Sequence, residues 1–142
     1  MQISSSAFTV LNILNLLYCK KSSGEKEGWL YGREIKQELK KLYKGIWGPS
    51  DGVLYPQMSE LDTKGFVVSR WAHSGGECDL KKKRTVREYR ITEKGEDYLK
   101  YLLSPQSGLK NKIIGLQKMC QRSLDFLDGK VPVQIVYEKA TA

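Results

Sequence analysis

The chain has one histidine and three cysteines in 142 residues. Cys19, Cys78 and Cys120 are widely spaced and odd in number, so they make neither a disulfide framework nor a paired zinc-ligand motif. Free thiols suit a reducing cytosol. His73 alone cannot complete a metal cluster, and it stands at no recognisable nucleophile–base spacing. A Gly-rich phosphate loop is also missing. These gaps argue against an enzyme, and neither a metal nor another cofactor is implied. Proline is scarce at four residues, while 40% hydrophobic and 28% charged residues describe an ordinary globular protein. Disordered and collagen-like chains have other compositions. The length suits one domain, or one domain with an appended element.

Long apolar runs are lacking too. A membrane span needs ~20 apolar residues. The run from Ala7 to Cys19 is broken by Asn12 and Asn15 and followed by Lys20 and Lys21. It lacks the basic start and the small-residue cleavage site of a secretory signal. A cytoplasmic protein without membrane attachment is therefore expected. The run reads as a buried helix capped by one of the N-terminal serines. Phe8, Leu11, Leu14 and Tyr18 form one stripe, and Val10, Ile13 and Leu17 form a second. A helix apolar on two sides must be covered on two sides, here by its own domain and by a partner subunit.

Positive charge is plentiful: 24 Lys and Arg stand against 16 Asp and Glu, net +8. Residues 1–19 carry none of it. Residues 20–45 are net +4, residues 46–69 net −2, and residues 70–90 net +4. Lys81, Lys82, Lys83, Arg84 and Arg87 make the densest cluster. Taken alone, that cluster fits an anionic partner such as nucleic acid and a solvated, self-repelling loop equally well.

A second helix is signalled by Ile35, Leu39, Leu42 and Tyr43, with Arg33, Lys36, Lys40 and Lys41 on its other face. A third starts near Asp51, turns Leu54, Met58 and Leu61 inward, and stops at Gly65. Pro56 restricts that start to a few residues, because proline is tolerated only early in a helix. Residues 66–72 and 85–91 have strand character, and the 73–84 segment between them forms the basic tip of a hairpin. Thr92 caps a helix to about Leu103, which Ser104 and Pro105 end. A last helix runs from about Ser107 to Asp128, followed by a strand-like tail over Val131–Tyr137. Three helices followed by a two-stranded hairpin is the order of a winged helix-turn-helix, a mostly helical α+β fold. In that fold the third helix enters the DNA major groove and the wing lies on the backbone or minor groove.

Four segments stand out: Leu30-Tyr-Gly-Arg-Glu-Ile35, Trp47-Gly-Pro-Ser-Asp-Gly-Val-Leu-Tyr-Pro56, Leu61-Asp-Thr-Lys-Gly-Phe-Val67 and Arg87-Glu-Tyr-Arg-Ile-Thr-Glu-Lys-Gly95. In combination they resemble the PadR family of bacterial transcriptional regulators. The family usually has His-Gly-Tyr where this chain has Tyr31-Gly32-Arg33, and its wing tip is often shorter than the one holding Glu77–Arg84. The resemblance implies a homodimeric repressor whose C-terminal helix crosses to its partner. The compact branch of the family is the nearer match, with residues 1–103 as the winged domain and 104–142 as dimerisation helix and tail.

The helix pattern supports the dimer independently. Leu109, Ile113, Leu116, Cys120, Ser123 and Leu127 alternate spacings of four and three, which is the seam of a helix pairing with another helix. Phe8 and Leu11 on the first helix want the same partner. The bland alternative is an amphipathic helix folding back on its own domain. Cys120 on this seam reads as a small hydrophobe rather than an oxidant sensor.

Double-stranded DNA is the expected partner. Tyr55 lies off the buried stripe of the third helix, where it contacts DNA or packs beside Pro56; the family resemblance favours DNA. Ser50 donates to a phosphate or serves as a plain cap. Gln57, Ser59 and Thr63 are candidates for direct base readout, and Lys64 for a phosphate contact. Tyr31 matches the family position at the entrance of the second helix. Lys81, Lys82, Lys83, Arg84 and Arg87 supply phosphate attraction from the wing. Trp29, Trp47 and Trp71 are expected to pack in the core or on strands. Two alternatives stay open: a winged-helix module for protein or RNA, and a sensor with a small effector at the dimer interface.

Overall fold

The computed structural model describes residues 5–74 and 84–130. The elements follow the order α1 (Ser5–Ser23), a 3-10 turn (Glu25–Gly28), β1 (Leu30–Tyr31), α2 (Gly32–Leu42), α3 (Asp51–Thr63), β2 (Val67–Ser74), β3 (Arg84–Ile91), α4 (Glu93–Leu103), a 3-10 turn (Pro105–Ser107) and α5 (Leu109–Leu127). This is the winged-helix arrangement that the pattern of helices and hairpin predicts. The proposed cap of α1, the wing tip with Lys81, Lys82 and Lys83, Cys78 and the strand-like tail lie in whole or in part outside the described residues.

Helix α1 is the centre of the domain. Val10, Ile13, Leu14 and Leu17 join Ile35 and Leu39 of α2, Leu54, Met58 and Leu61 of α3, and Leu99 and Leu102 of α4 in one core. Burying each such side chain contributes on the order of 2 kcal/mol. The expected two-stripe division of α1 changes here. Leu14 leaves its stripe for the core, Tyr18 is exposed, and Phe8 packs on Trp47 and Tyr43 with ring centroids 5.0 and 6.0 Å away. Buried Asn12 is satisfied between them: it donates to the Phe8 carbonyl at 2.9 Å and accepts from the Tyr43 hydroxyl at 2.6 Å.

Leu42 also departs from its expected place. It ends α2 largely exposed, lining a shallow groove with Leu16 and Cys19. A 3.6-residue period marks it as inward, but α2 ends there and its final turn has too little of the domain over it.

Helix α3 presents Leu54, Met58 and Leu61 inward as its spacing requires. It stops at Gly65, whose φ of +79° is left-handed, and the Phe66 N–H returns to the Leu61 carbonyl at 2.9 Å. The chain then enters the wing, with β2 and β3 antiparallel from Val67↔Ile91 to Ser74↔Arg84. β1 adds to the other edge of β3 through Leu30↔Tyr89 and Tyr31↔Glu88, an unexpected third strand. Two residues are too few for a period-2 pattern to show.

The turn into α4 explains its Ile-Thr-x-x-Gly sequence. The Thr92 hydroxyl accepts from the Gly95 N–H at 3.0 Å and donates to the Gly65 carbonyl at 2.6 Å. A Cβ on buried Gly95 would collide with the Phe66 carbonyl. Only glycine lets α4 lie this close to the end of α3.

Candidate nucleic-acid interface

With Leu54, Met58 and Leu61 held in the core, α3 turns Val53, Tyr55, Pro56, Ser59, Glu60 and Thr63 to the solvent. Ser50 is the N-cap, and its carbonyl accepts from the N–H groups of Val53 and Leu54 at 3.1 and 2.8 Å. Its hydroxyl makes no cap bond, so the plain-cap role is not realised by the side chain. Gln57 is half-buried. The Thr63 hydroxyl donates back to the Ser59 carbonyl at 2.9 Å, and Lys64 pairs with Glu60 at 2.8 Å. That hydrogen bond holds the Lys64 ammonium above its ordinary 10.5. Both groups are thus occupied within the helix, unlike the Ser50 hydroxyl.

Tyr55 fills a gap that only glycine leaves. A Cβ on Gly32 would stand 2.6 Å from Tyr55 Cε1, so the ring lies directly on the first residue of α2. Tyr55 thus packs on Gly32 and remains 45% exposed. Around it, Tyr31, Gly32, Arg33, Val86, Arg87 and Tyr89 line a cleft of about 360 Å³. Tyr31 enters α2 with its N–H donated to the Glu34 carboxylate at 3.3 Å. Burial pushes the Tyr89 phenol above its ordinary 10.0. A second groove of about 300 Å³ runs between α2 and α3 and is lined by Arg33, Lys36, Lys40, Asp51 and Tyr55. The cations of α2 therefore flank the exposed face of α3, and Lys36 ion-pairs with Asp51 at 2.9 Å.

On the wing, Arg84 opens β3. Arg87 is engaged inside the domain: Nε donates to the Ser69 hydroxyl at 3.0 Å and Nη2 to the Asp62 carboxylate at 3.3 Å. Of the tryptophans, Trp29 is buried with the Arg70 guanidinium 4.0 Å above its ring, and Trp47 packs on Phe8. Trp71 lies on a strand rather than in the core: the Arg87 guanidinium stands over its ring at 5.3 Å, and the residue is 66% exposed.

A separate groove is mostly apolar. Leu11, Leu102, Leu103, Leu109, Ile113 and Ile114 line its about 300 Å³ where α1, α4 and α5 meet. Farther along α5, Leu116, Cys120 and Leu127 are exposed, as are Met119 and Leu124, which the four-and-three spacing passed over. Of the residues assigned to a dimer face, the structure brings Leu11, Leu109 and Ile113 together, whereas Phe8 sits in its own aromatic cluster. Among the described residues no group of His, Cys, Asp and Glu is placed to hold a metal, and no helix is long and apolar enough to cross a membrane.

The model of the transcriptional regulator PadR-like family matches residues 25–101. Among solved structures, a transcriptional regulator from Clostridium thermocellum is 24% identical, with a TM-score of 0.56, over 77% of this chain and 91% of that one. A PadR family transcriptional regulator from Eggerthella lenta is 21% identical, with a TM-score of 0.52, over 78% and 84%. A PadR-like transcriptional regulator from Bacillus cereus is 19% identical, with a TM-score of 0.50, over 80% and 97%. At these identities the structural likeness is one of fold. No curated protein sequence matches the chain.

Proposed function

The chain belongs to the PadR-like family of transcriptional regulators, and on that premise we propose that it is a homodimeric repressor reading a pseudo-palindromic operator. Its place in the family makes it a DNA-binding regulator rather than an enzyme. The observation that carries the finer reading is the flanking of α3 by cations: Arg33, Lys36 and Lys40 border the groove beside its exposed face. In this reading the α2 cations and the wing lysines grip phosphates without regard to sequence, and α3 discriminates. Residues 46–69, which contain α3, are net −2. Discrimination therefore falls to polar groups such as Ser50, Tyr55, Gln57 and Ser59, and to DNA shape.

Two copies joined through the apolar α1–α4–α5 groove and the exposed row of α5 would set two α3 helices about one turn, roughly 10 base pairs, apart. An effector lodged in that interface would release the operator. Selection of bound fragments from a random duplex pool tests the reading. Enrichment of a symmetric site with that spacing is expected; failure to enrich any duplex overturns it. Addition of a candidate effector to the bound complex then tests release separately.

A further inference from the structure

Trp71 stands on β2 directly opposite Arg87 on β3. Directly opposed residues share a sheet face. The Arg87 guanidinium lies 5.3 Å from the centroid of the indole. Its Nε and Nη2 are held by Ser69 and by Asp62 of α3. Ser69 and Arg87 of this face reach Asp62 of α3, and Trp71 stands on the same face two residues beyond Ser69, with the α3-bound guanidinium against its ring. A single exposed apolar side chain is ordinary on a protein surface. Here the ring lies against a guanidinium, it shares the sheet face through which Ser69 and Arg87 reach α3, and that guanidinium is already bound to a carboxylate.

We infer that Trp71 is a DNA-backbone contact, its open ring surface packing on a deoxyribose and its indole N–H donating to a phosphate oxygen of the strand that borders the groove taken by α3. Arg87 is a positioning residue that holds the indole. The inference rests on the reading of the chain as a DNA-binding regulator. An indole suits this place because it combines an apolar body with one neutral donor. A neutral donor also releases no counterions, so its contribution to affinity is independent of salt.

The full chain is titrated with a labelled random-sequence duplex over a range of salt concentrations, as wild type, Trp71→Ala and Trp71→Phe. Trp71→Ala is expected to bind about tenfold more weakly with an unchanged slope of log K against log salt, and Trp71→Phe to fall between. The emission lost in Trp71→Phe reports Trp71 in the wild type, and duplex should shield that component from acrylamide. Wild-type affinity in Trp71→Ala, or a Trp71 component that stays quenchable in the complex, overturns the inference and leaves the DNA-binding reading intact. A weaker Trp71→Ala whose Trp71 component in the wild type is not shielded assigns the ring to hairpin packing and overturns it equally. Wild type that binds no duplex overturns both.

Discussion

The Asp62 carboxylate of α3 lies 3.3 Å from the Arg87 guanidinium of β3, so an ion pair ties α3 to the wing. The same oxygen accepts from the Ser69 hydroxyl at 2.8 Å. Both ionised groups are partly exposed, and such pairs contribute at most about 1 kcal/mol. The consequence is therefore larger for binding than for stability. Asp62→Ala should lower the unfolding free energy by less than about 1 kcal/mol. It should also tighten binding to random duplex, and steepen the salt slope by about 0.9 as the released guanidinium reaches a phosphate. A slope that stays put would mean that Arg87 remains on Trp71.

Gly32 and Tyr55 make a second tie, between α2 and α3. Gly32→Ala should cost about 1–3 kcal/mol, because the ring must leave its place. In a Tyr55→Ala background the same change should be nearly neutral, and a urea double-mutant cycle measures the difference. Equal costs in both backgrounds would refute the contact. Gly95→Ala should be worse than Gly32→Ala, since its neighbour is the Phe66 backbone rather than a side chain that can swing away.

Changing Lys82, Lys83 and Arg84 together to Ala removes charge that the sequence places in the wing. Binding to selected and random duplex should weaken alike, and the salt slope should flatten by up to about 2.7, one phosphate per cation. A triple variant with the wild-type slope rules out a phosphate clamp there.

Leu116 and Leu124 are exposed on α5. Replacing both with Glu puts charge into the exposed row of α5 proposed to join the two copies, while leaving the buried Leu109 untouched. The chain should sediment as a monomer with its helical content retained, and selected-site affinity should drop by about 100-fold through lost bivalency. A variant that remains dimeric places the interface elsewhere.

Tyr89 gives an alkaline signature. Burial raises its folded pKa above the ordinary 10.0, so the neutral phenol contributes stability that is complete below that value and is lost as pH rises through the folded pKa. Lys26, raised by its bond to Glu34, acts in the same direction. Urea midpoints should hold below about pH 9 and fall above about pH 10. Tyr89→Phe should make that fall shallower; an unchanged fall would locate the alkaline loss in the lysine pairs.

The identity and order of the main elements were legible because their causes are short-range. Leu54, Met58 and Leu61 recur at helical spacing, Thr92 stands where an N-cap must, and Gly65 and Ser104 end helices within a turn of the chain itself. The PadR motifs were equally local. Much of their meaning is spatial: Gly32 is small for Tyr55, and Gly95 for the Phe66 carbonyl. The candidate site was legible in its residue types and only partly in their availability. Thr63 and Lys64 carry suitable groups, yet neighbours on their own helix occupy them.

Residues 5–130 thus carry in their order a winged-helix chain with a cationic second helix and an apolar last one. Periodicity, capping and charge act over a few residues and can be read along a line. Folding alone decided that Phe8 meets Trp47, that β1 completes the sheet, that Leu42 and Tyr18 stay outside, and that Asp62 takes Arg87 while Trp71 is left open. Each of these depends on which surfaces remain after the core has closed. That is a property of groups far apart in the chain, and no local pattern encodes it.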